Sequence, residues 1–233
     1  MNLYAGTSGY SYKEWKGFFY PEKMPNDEML AFYGTKLPSV EINNTFYRLP
    51  RREQLATWAE QVPANFRFAV KASQKISHMK RLRNAEEETG YLMDAVGEMG
   101  KKLGVVFFQL PPNFKQDLER LSAFLDTLPQ KIPVAFEFRH ATWFEEPVFD
   151  LLRKHNVALC LADADDDLEV PLVSTADWGY LRLRRPDYTD AELKEWRTWV
   201  AGQKWKNAFV FFKHEDAGAG PRMATEFLAL GEG

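Results

Sequence analysis

The sequence predicts an α/β fold, a TIM-type (β/α)8 barrel built as a single domain over residues 1–233. Three observations carry that expectation. Eight short apolar strand-like runs recur along the chain, and most are followed by a helix-like segment. Strands alternating with helices pair in parallel through right-handed crossovers, and eight of them close a barrel. A chain of 233 residues is an ordinary length for one undivided barrel. Polar residues also gather late in the strands, where barrel loops build sites.

The elements follow in order. Leu3 to Thr7 reads as the first strand, ending in the turn Gly6-Thr7-Ser8-Gly9-Tyr10. Two glycines and hydroxyl neighbours make a tight turn whose backbone N–H groups can meet an anion. Its spacing is not that of a dinucleotide or P-loop fingerprint. Trp15, Phe18, Phe19 and Tyr20 form an aromatic loop, expected to pack as a lid or plug. Asp27 to Thr35 is helical, and Ser39 to Asn43 is the second strand, with Val40 and Ile42 on one face and Glu41 and Asn43 on the other. Arg51 to Gln61 is the next helix.

Phe66 to Ala72 alternates again and presents Arg67 and Lys71 on its polar face. The loop after it, Ser73 to Arg83, is basic and contains His78. Asn84 to Lys102 reads as a helix with an acidic start and a basic end, matching the helix dipole. Val105 to Gln109, Pro133 to Arg139, Val157 to Ala162, Gly179 to Arg184 and Ala208 to Lys213 are the remaining strands. Helices are expected over Gln116–Leu128, Glu146–His155, Asp190–Val200 and Pro221–Leu230. The sixth strand ends in Asp163 and an acidic loop, Asp165-Asp166-Asp167.

Charge adds a local signal to a bland whole. The net charge of −3 draws the molecule neither to nucleic acid nor to an anionic membrane. Yet Arg48 to Arg83 holds nine Lys/Arg against two acids, while the remainder carries 21 basic and 31 acidic residues. Such a segment suggests an anion-facing patch or a solvated face. Cys160 is the only cysteine, so no intramolecular disulfide forms, and its apolar strand marks it as a buried, inert thiol. No apolar run approaches the roughly 18 residues of a membrane span, and Met1 leads straight into a strand without a signal-like segment. A cytoplasmic location without membrane association is therefore expected.

If the apolar strand faces meet the helices, Glu41, Asn43, Arg67, Lys71, Glu137, Arg139, Arg182 and Arg184 point inward, with Gln109, Asp163 and Lys213 at other strand ends. That sets three carboxylates against six cations. Buried charges must pair, so the surplus is positive. An internal salt-bridge network that only orients the barrel is one explanation. The other is a grip for an anion, since the guanidinium fork matches phosphate and carboxylate. Arg67 comes early in its strand and belongs at the far end or at the surface. Glu41 and Glu137 are the candidate acid/base pair. Asn43, Tyr47, Arg48, Lys71, His78, Gln109, Arg139, His140, Trp143, Asp163, Arg182, Arg184 and Lys213 are candidate substrate contacts. A Schiff base at Lys71 requires a desolvated amine; among so many cations the residue reads first as a phosphate or carboxylate binder. Phe46, Tyr47 and Trp143 could stack a ring. His155 reads as a helix C-cap. A metal site drawing on Glu41, Glu137, Asp163, His140 and His214 lacks any close-spaced ligand motif, and no cofactor or oligomeric state is readable.

Five segments, Gly6-Thr7-Ser8-Gly9-Tyr10, Val40 to Pro50, Phe68-Ala69-Val70-Lys71-Ala72, Gln109-Leu110-Pro111-Pro112 and Phe136 to Trp143, resemble signature stretches of the domain-of-unknown-function-72 (YecE-like) family. The resemblance implies a TIM-type barrel and supplies no activity. Two departures matter. The family commonly has a His-Gly pair where this chain has Arg184-Arg185, and often an Asn pair where it has Lys213-His214. Both make the mouth more basic. Together these readings point to an enzyme, a hydrolase or lyase on a phosphorylated or other anionic substrate. The alternatives are a nucleic-acid or nucleotide binding module using the Arg48 to Arg83 segment, and a scaffold with an inert ion-paired barrel.

Overall fold

Alternation of apolar and polar residues closes the sheet. In the computed structural model, which describes residues 1–164, 168–213 and 218–230, eight parallel strands form a closed barrel in chain order. They are β1 (Asn2–Ser8), β2 (Ser39–Ile42), β3 (Arg67–Lys71), β4 (Leu103–Gln109), β5 (Val134–Glu137), β6 (Ala158–Asp163), β7 (Gly179–Leu183) and β8 (Asn207–Phe212). β1 pairs with both β2 and β8, so no edge is left. The helices are α1 (Met29–Gly34), α2 (Arg52–Glu60), α3 (Glu86–Val96), α4 (Leu118–Asp126), α5 (Glu146–Lys154), α6 (Asp190–Ala201) and α7 (Ala219–Ala229). Among the described residues no helix joins β6 to β7, and no helix is long and apolar enough to cross a membrane.

Two apolar layers hold this together, and strand parity separates them. Val40, Phe68, Val106, Phe108, Phe136, Phe138, Leu181 and Val210 face outward and are covered by Leu30, Leu55, Leu92, Leu121, Leu152, Leu193 and Phe227 of the helices. Inside the barrel lie Tyr4, Ala69, Val105, Phe107, Ala135, Ala158, Cys160, Trp178, Tyr180, Phe209 and Phe211. Their rings interlock: Tyr4 stacks on Phe209 and Phe107 on Tyr180, each at about 5 Å. Alanines opposite these rings leave them room. The lower barrel is thus an aromatic plug, and the buried charged side chains lie at the C-terminal end above it.

Local chemistry sets the boundaries. Thr189 and Glu192 form a reciprocal capping box at the start of α6, and Asp117 accepts the Arg120 N–H at the start of α4. Gly6 is required where β1 meets β2, because a Cβ there would stand 1.8 Å from the Ser39 carbonyl oxygen. The aromatic loop packs as expected: Trp15 and Tyr20 are buried, with Phe19 against Phe32 and Tyr33, while Phe18 is exposed.

Two expectations change. The single helix over Asn84–Lys102 is α3 followed by a 3-10 segment, Gly97–Lys102, because Gly100 takes φ 53° and breaks the α repeat. The basic loop after β3 contains a π-helical turn, Lys75–Met79. Just beyond it Arg81, Leu82 and Asn84 all have positive φ. A π turn followed by left-handed non-glycine residues is costly backbone, and such backbone concentrates near functional sites.

Candidate functional site

Above the aromatic plug, β2, β5 and β7 deliver one ion-pair network. Arg182 on β7 spans two carboxylates: its Nη2 donates to Glu41 Oε1 at 2.9 Å and its Nη1 to Glu137 Oε2 at 2.7 Å. Further donors reach both carboxylates. Tyr180 donates its O–H to Glu41 Oε2 at 2.6 Å, and Asn43 donates to Oε1 at 2.9 Å. Gln109 Nε2 and Arg139 Nε both donate to Glu137 Oε1 at 2.9 Å. Glu41 is 0% exposed and Glu137 1%. The guanidinium of Arg182 lies 5.0 Å from the Phe107 ring centroid, resting on the plug.

This enclosure decides protonation. Burial pushes the Glu41 carboxyl up, but the charge of Arg182, the hydrogen bonds from Tyr180 and Asn43 and the charge of Lys71 together hold it below the usual range. Burial opposes ionisation of Glu137 too, and the guanidiniums of Arg182, Arg184 and Arg139 hold its carboxyl well below that range. Lys71 is the reverse case. Burial and the neighbouring charge of Arg182 bring its ammonium down to about 8, against the opposing pull of Glu41 and Glu137. Its Nζ donates to Gln109 Oε1 at 3.1 Å and lies 4.3 Å from the Phe46 ring centroid. His78 packs edge-on against the same ring at 4.9 Å, with Nδ1 2.9 Å from Ser77 Oγ. Burial first, then Lys71 and Arg139, lower its imidazole below its ordinary value.

Glu41, Asn43, Lys71, His78, Gln109, Glu137, Arg139, Arg182 and Arg184 are therefore brought to one end of the barrel, with an Arg184 nitrogen 3.9 Å from Glu137. A cleft of about 370 Å³ opens beside them, lined by Glu137, Arg139, Arg184, Pro112, Ala162 and Val170. A second cavity, of about 440 Å³, lies at the opposite end of the barrel, where Arg67 stacks on Tyr4.

Several expectations need correction. Trp143 cannot stack a ligand: it is fully buried in the outer layer, parallel to Phe138, with its indole N–H on the Phe114 carbonyl. Asp163 follows the outward parity of β6, accepting from Arg185 Nε at 3.0 Å and lying 3.3 Å from the Trp196 indole nitrogen. Lys213 lies past the end of β8 and is exposed. Tyr47, 74% exposed, and Arg48 lie on the rim. His140 is spent locally, its Nδ1 accepting the Thr142 N–H. His155, by contrast, caps the C-terminus of α5 as expected and faces Asp126 at 3.6 Å. His214 and the loop Asp165-Asp166-Asp167 fall outside the described residues. No group of three or more His, Cys, Asp or Glu side chains able to hold a metal occurs among the described residues.

Glu41 and Glu137 also change part. Each accepts three hydrogen bonds and is held ionised by the cations around it, so in this arrangement the pair positions cations. Cys160 is buried in the plug, and burial drives its thiol far above the ordinary value. The basic segment does not form one face, because Arg67 and Lys71 stand at opposite ends of β3 while Arg52 pairs with Asp94 and Lys80 with Glu88. Two contributors were missed: Tyr180, visible as an inward polar residue, and the buried Ser8 Oγ, which has no hydrogen-bond partner among the described residues and ends β1 beside Glu41. Phe46, expected to stack a ligand ring, covers the Lys71 amine.

Comparison with known proteins follows the same lines. The UPF0759 protein YecE of Escherichia coli (strain K12) is 29% identical over 143 residues, a match to 61% of this chain and 50% of that protein. The chain thus aligns with about half the length of that relative. The UPF0759 protein YunF of Bacillus subtilis (strain 168) is 28% identical over 269 aligned positions, covering 98% of this chain and 94% of that protein. A DUF72 family protein from Thermotoga maritima superposes with a TM-score of 0.88 at 25% identity, over 100% of both chains. The family model described as "Protein of unknown function DUF72" matches residues 4–232, and the chain belongs to that family.

Proposed function

We propose that this chain is an enzyme, a hydrolase or lyase, acting on a phosphorylated or other anionic substrate at the C-terminal mouth of the barrel, in the cytoplasm. One observation carries the reading. Among the described residues Lys71, Arg139 and Arg182 gather about two carboxylates, Glu41 and Glu137, three cations against two anions. The bridging Arg182 and its two ionised carboxylates sum to −1, which Lys71 and Arg139 more than offset. The excess therefore falls on the outer members, and Arg139, whose side chain is 32% exposed, presents it to the cleft. A phosphate or carboxylate seated there would meet fixed donors already held by Glu137, the preorganisation that anion binding and transition-state stabilisation need.

Inorganic phosphate and small phosphorylated metabolites should raise the melting temperature. A ligand at about 100 times its Kd adds about 2.7 kcal/mol, or about 5–11 °C for a chain of this size. Arg139→Ala should remove the shift, and a full shift in that variant would refute the reading. The exposed Tyr47 ring beside Arg48 favours a second reading, a nucleic-acid or nucleotide binding module. That module would lose affinity steeply with salt and be indifferent to Arg139→Ala.

A further inference from the structure

Lys71 is the member of the network that the carboxylates do not hold. Among the described residues Glu41 and Glu137 form their close ion pairs with arginines, and Lys71 makes none. Its Nζ donates to the neutral Gln109 amide oxygen at 3.1 Å. Phe46 and Phe107 wall it at 4.3 and 6.0 Å from their centroids, and the residue is 8% exposed. An ammonium enclosed by rings, beside guanidiniums and with no carboxylate in close contact among the described residues, is destabilised relative to the neutral amine. This is the environment that turns lysine into a nucleophile.

We propose that Lys71 Nζ condenses with the carbonyl carbon of a small aldehyde or ketone whose carboxylate or phosphate is held by Arg139. This deepens the anionic-substrate reading and rests on it, narrowing the reaction to a lyase type. The Nζ lone pair attacks the carbonyl carbon, and the C=O π pair moves to oxygen, which takes a proton as Nζ gives one up. The nitrogen lone pair then expels the hydroxyl, which takes a proton from solvent and leaves as water, giving a protonated imine. Amine, carbonyl and one proton become protonated imine and water, with no oxidant or reductant. The imine draws electrons from the adjacent bond, the step a lyase requires. His78, edge-on to the same Phe46 ring and lowered by burial and by Lys71, is the neutral base in this neighbourhood to relay the carbinolamine proton.

The groups facing Lys71 come from every packed element: Arg182 on β7, Glu41 on β2, Glu137 and Arg139 from β5, and His78 from the π-helical turn. Their balance leaves the amine titrating at about 8. At pH 7 such an amine has about a hundredfold more free base than an ordinary lysine near 10.4.

The test is reductive trapping on the intact chain with glyoxylate or glyceraldehyde 3-phosphate and borohydride, read by peptide mass mapping. Propionaldehyde serves as the uncharged control. Adduct at Lys71 should exceed that at the exposed Lys101 and Lys206 by at least about tenfold. It should rise through pH of about 8 and fall when phosphate competes. Lys71→Arg and Lys71→Gln should both abolish it, two variants guarding against a folding defect in one. Preference of the two charged probes would tell a carboxylate from a phosphate. Label spread over surface lysines, with phosphate still raising the melting temperature, overturns the nucleophile and leaves the anion site standing. Selective Lys71 labelling that is as fast with propionaldehyde and blind to phosphate overturns the anion site instead.

Discussion

Glu137→Gln tests whether the buried carboxylates position cations or carry protons. The change keeps the shape of the side chain and removes its charge. Glu137 accepts from Arg182 at 2.7 Å and from Gln109 and Arg139 at 2.9 Å. A glutamine there has one acceptor oxygen for three donors and turns an NH2 toward a guanidinium. Arg182 would keep Glu41 and lose its second counter-ion while remaining buried. Removing one partner of a buried pair costs about 3–5 kcal/mol. A catalytic acid on a solvated surface would instead change stability by about 0.5 kcal/mol. At about 2–4 °C per kcal/mol for this size, the melting temperature should fall by about 10 °C.

Urea unfolding of both proteins across pH gives the second half of the test. The Glu137 carboxyl is depressed in the folded state. Its contribution is therefore present above the unfolded value of about 4.3 and is lost as pH falls through the lower folded value. The wild type should lose stability on acidification, and the variant should show a shallower slope over that interval. A variant within about 1 kcal/mol of wild type at pH 7, with the same acid slope, would show that the carboxylate is not held by the cations around it.

Two further outcomes follow from named contacts. Gly6→Ala places a Cβ 1.8 Å from the Ser39 carbonyl oxygen, so it should part β1 from β2 and leave no cooperative thermal transition; a native-like melting curve would refute the assigned register. Anion affinity should decline as pH rises through about 8, because Lys71 loses its charge there, and isothermal titration with phosphate across that range checks it. The sign is opposite to that of imine trapping, which rises through the same interval as free amine appears.

Parity made most of the fold legible. Val134, Phe136 and Phe138 against Ala135, Glu137 and Arg139 assigned the two faces of β5 correctly, and the core layers confirm that division. Parity failed where alternation carried no information or had ended. β6 is apolar on both faces before Asp163, so nothing in the run said which way the carboxylate turned, and its partner Arg185 lies on another strand's loop. Trp143 follows the strand by several residues, after His140 has started a 3-10 turn, and the two-residue period no longer applies. The split of the basic segment has a similar origin. Arg67 and Lys71 share a face but lie four residues apart, about 13 Å along a strand, which places them at opposite ends of the barrel.

The chemistry was less legible for a different reason. A glutamate and a lysine each advertise a charge in the sequence, but their part depends on how many of their hydrogen bonds the fold has already used. Glu41 reads as a proton carrier in the sequence, but Tyr180, Asn43 and Arg182 all donate to its oxygens and hold it ionised. Lys71 looked like one more cation until the carboxylates proved to be taken by arginines and Phe46 proved to cover its amine. Arginine, nearly always charged, wins the contest for the buried acids, and lysine, which can shed its proton, is left to do so. That competition among three strands, rather than any motif, separates the fixed cations from the amine that titrates.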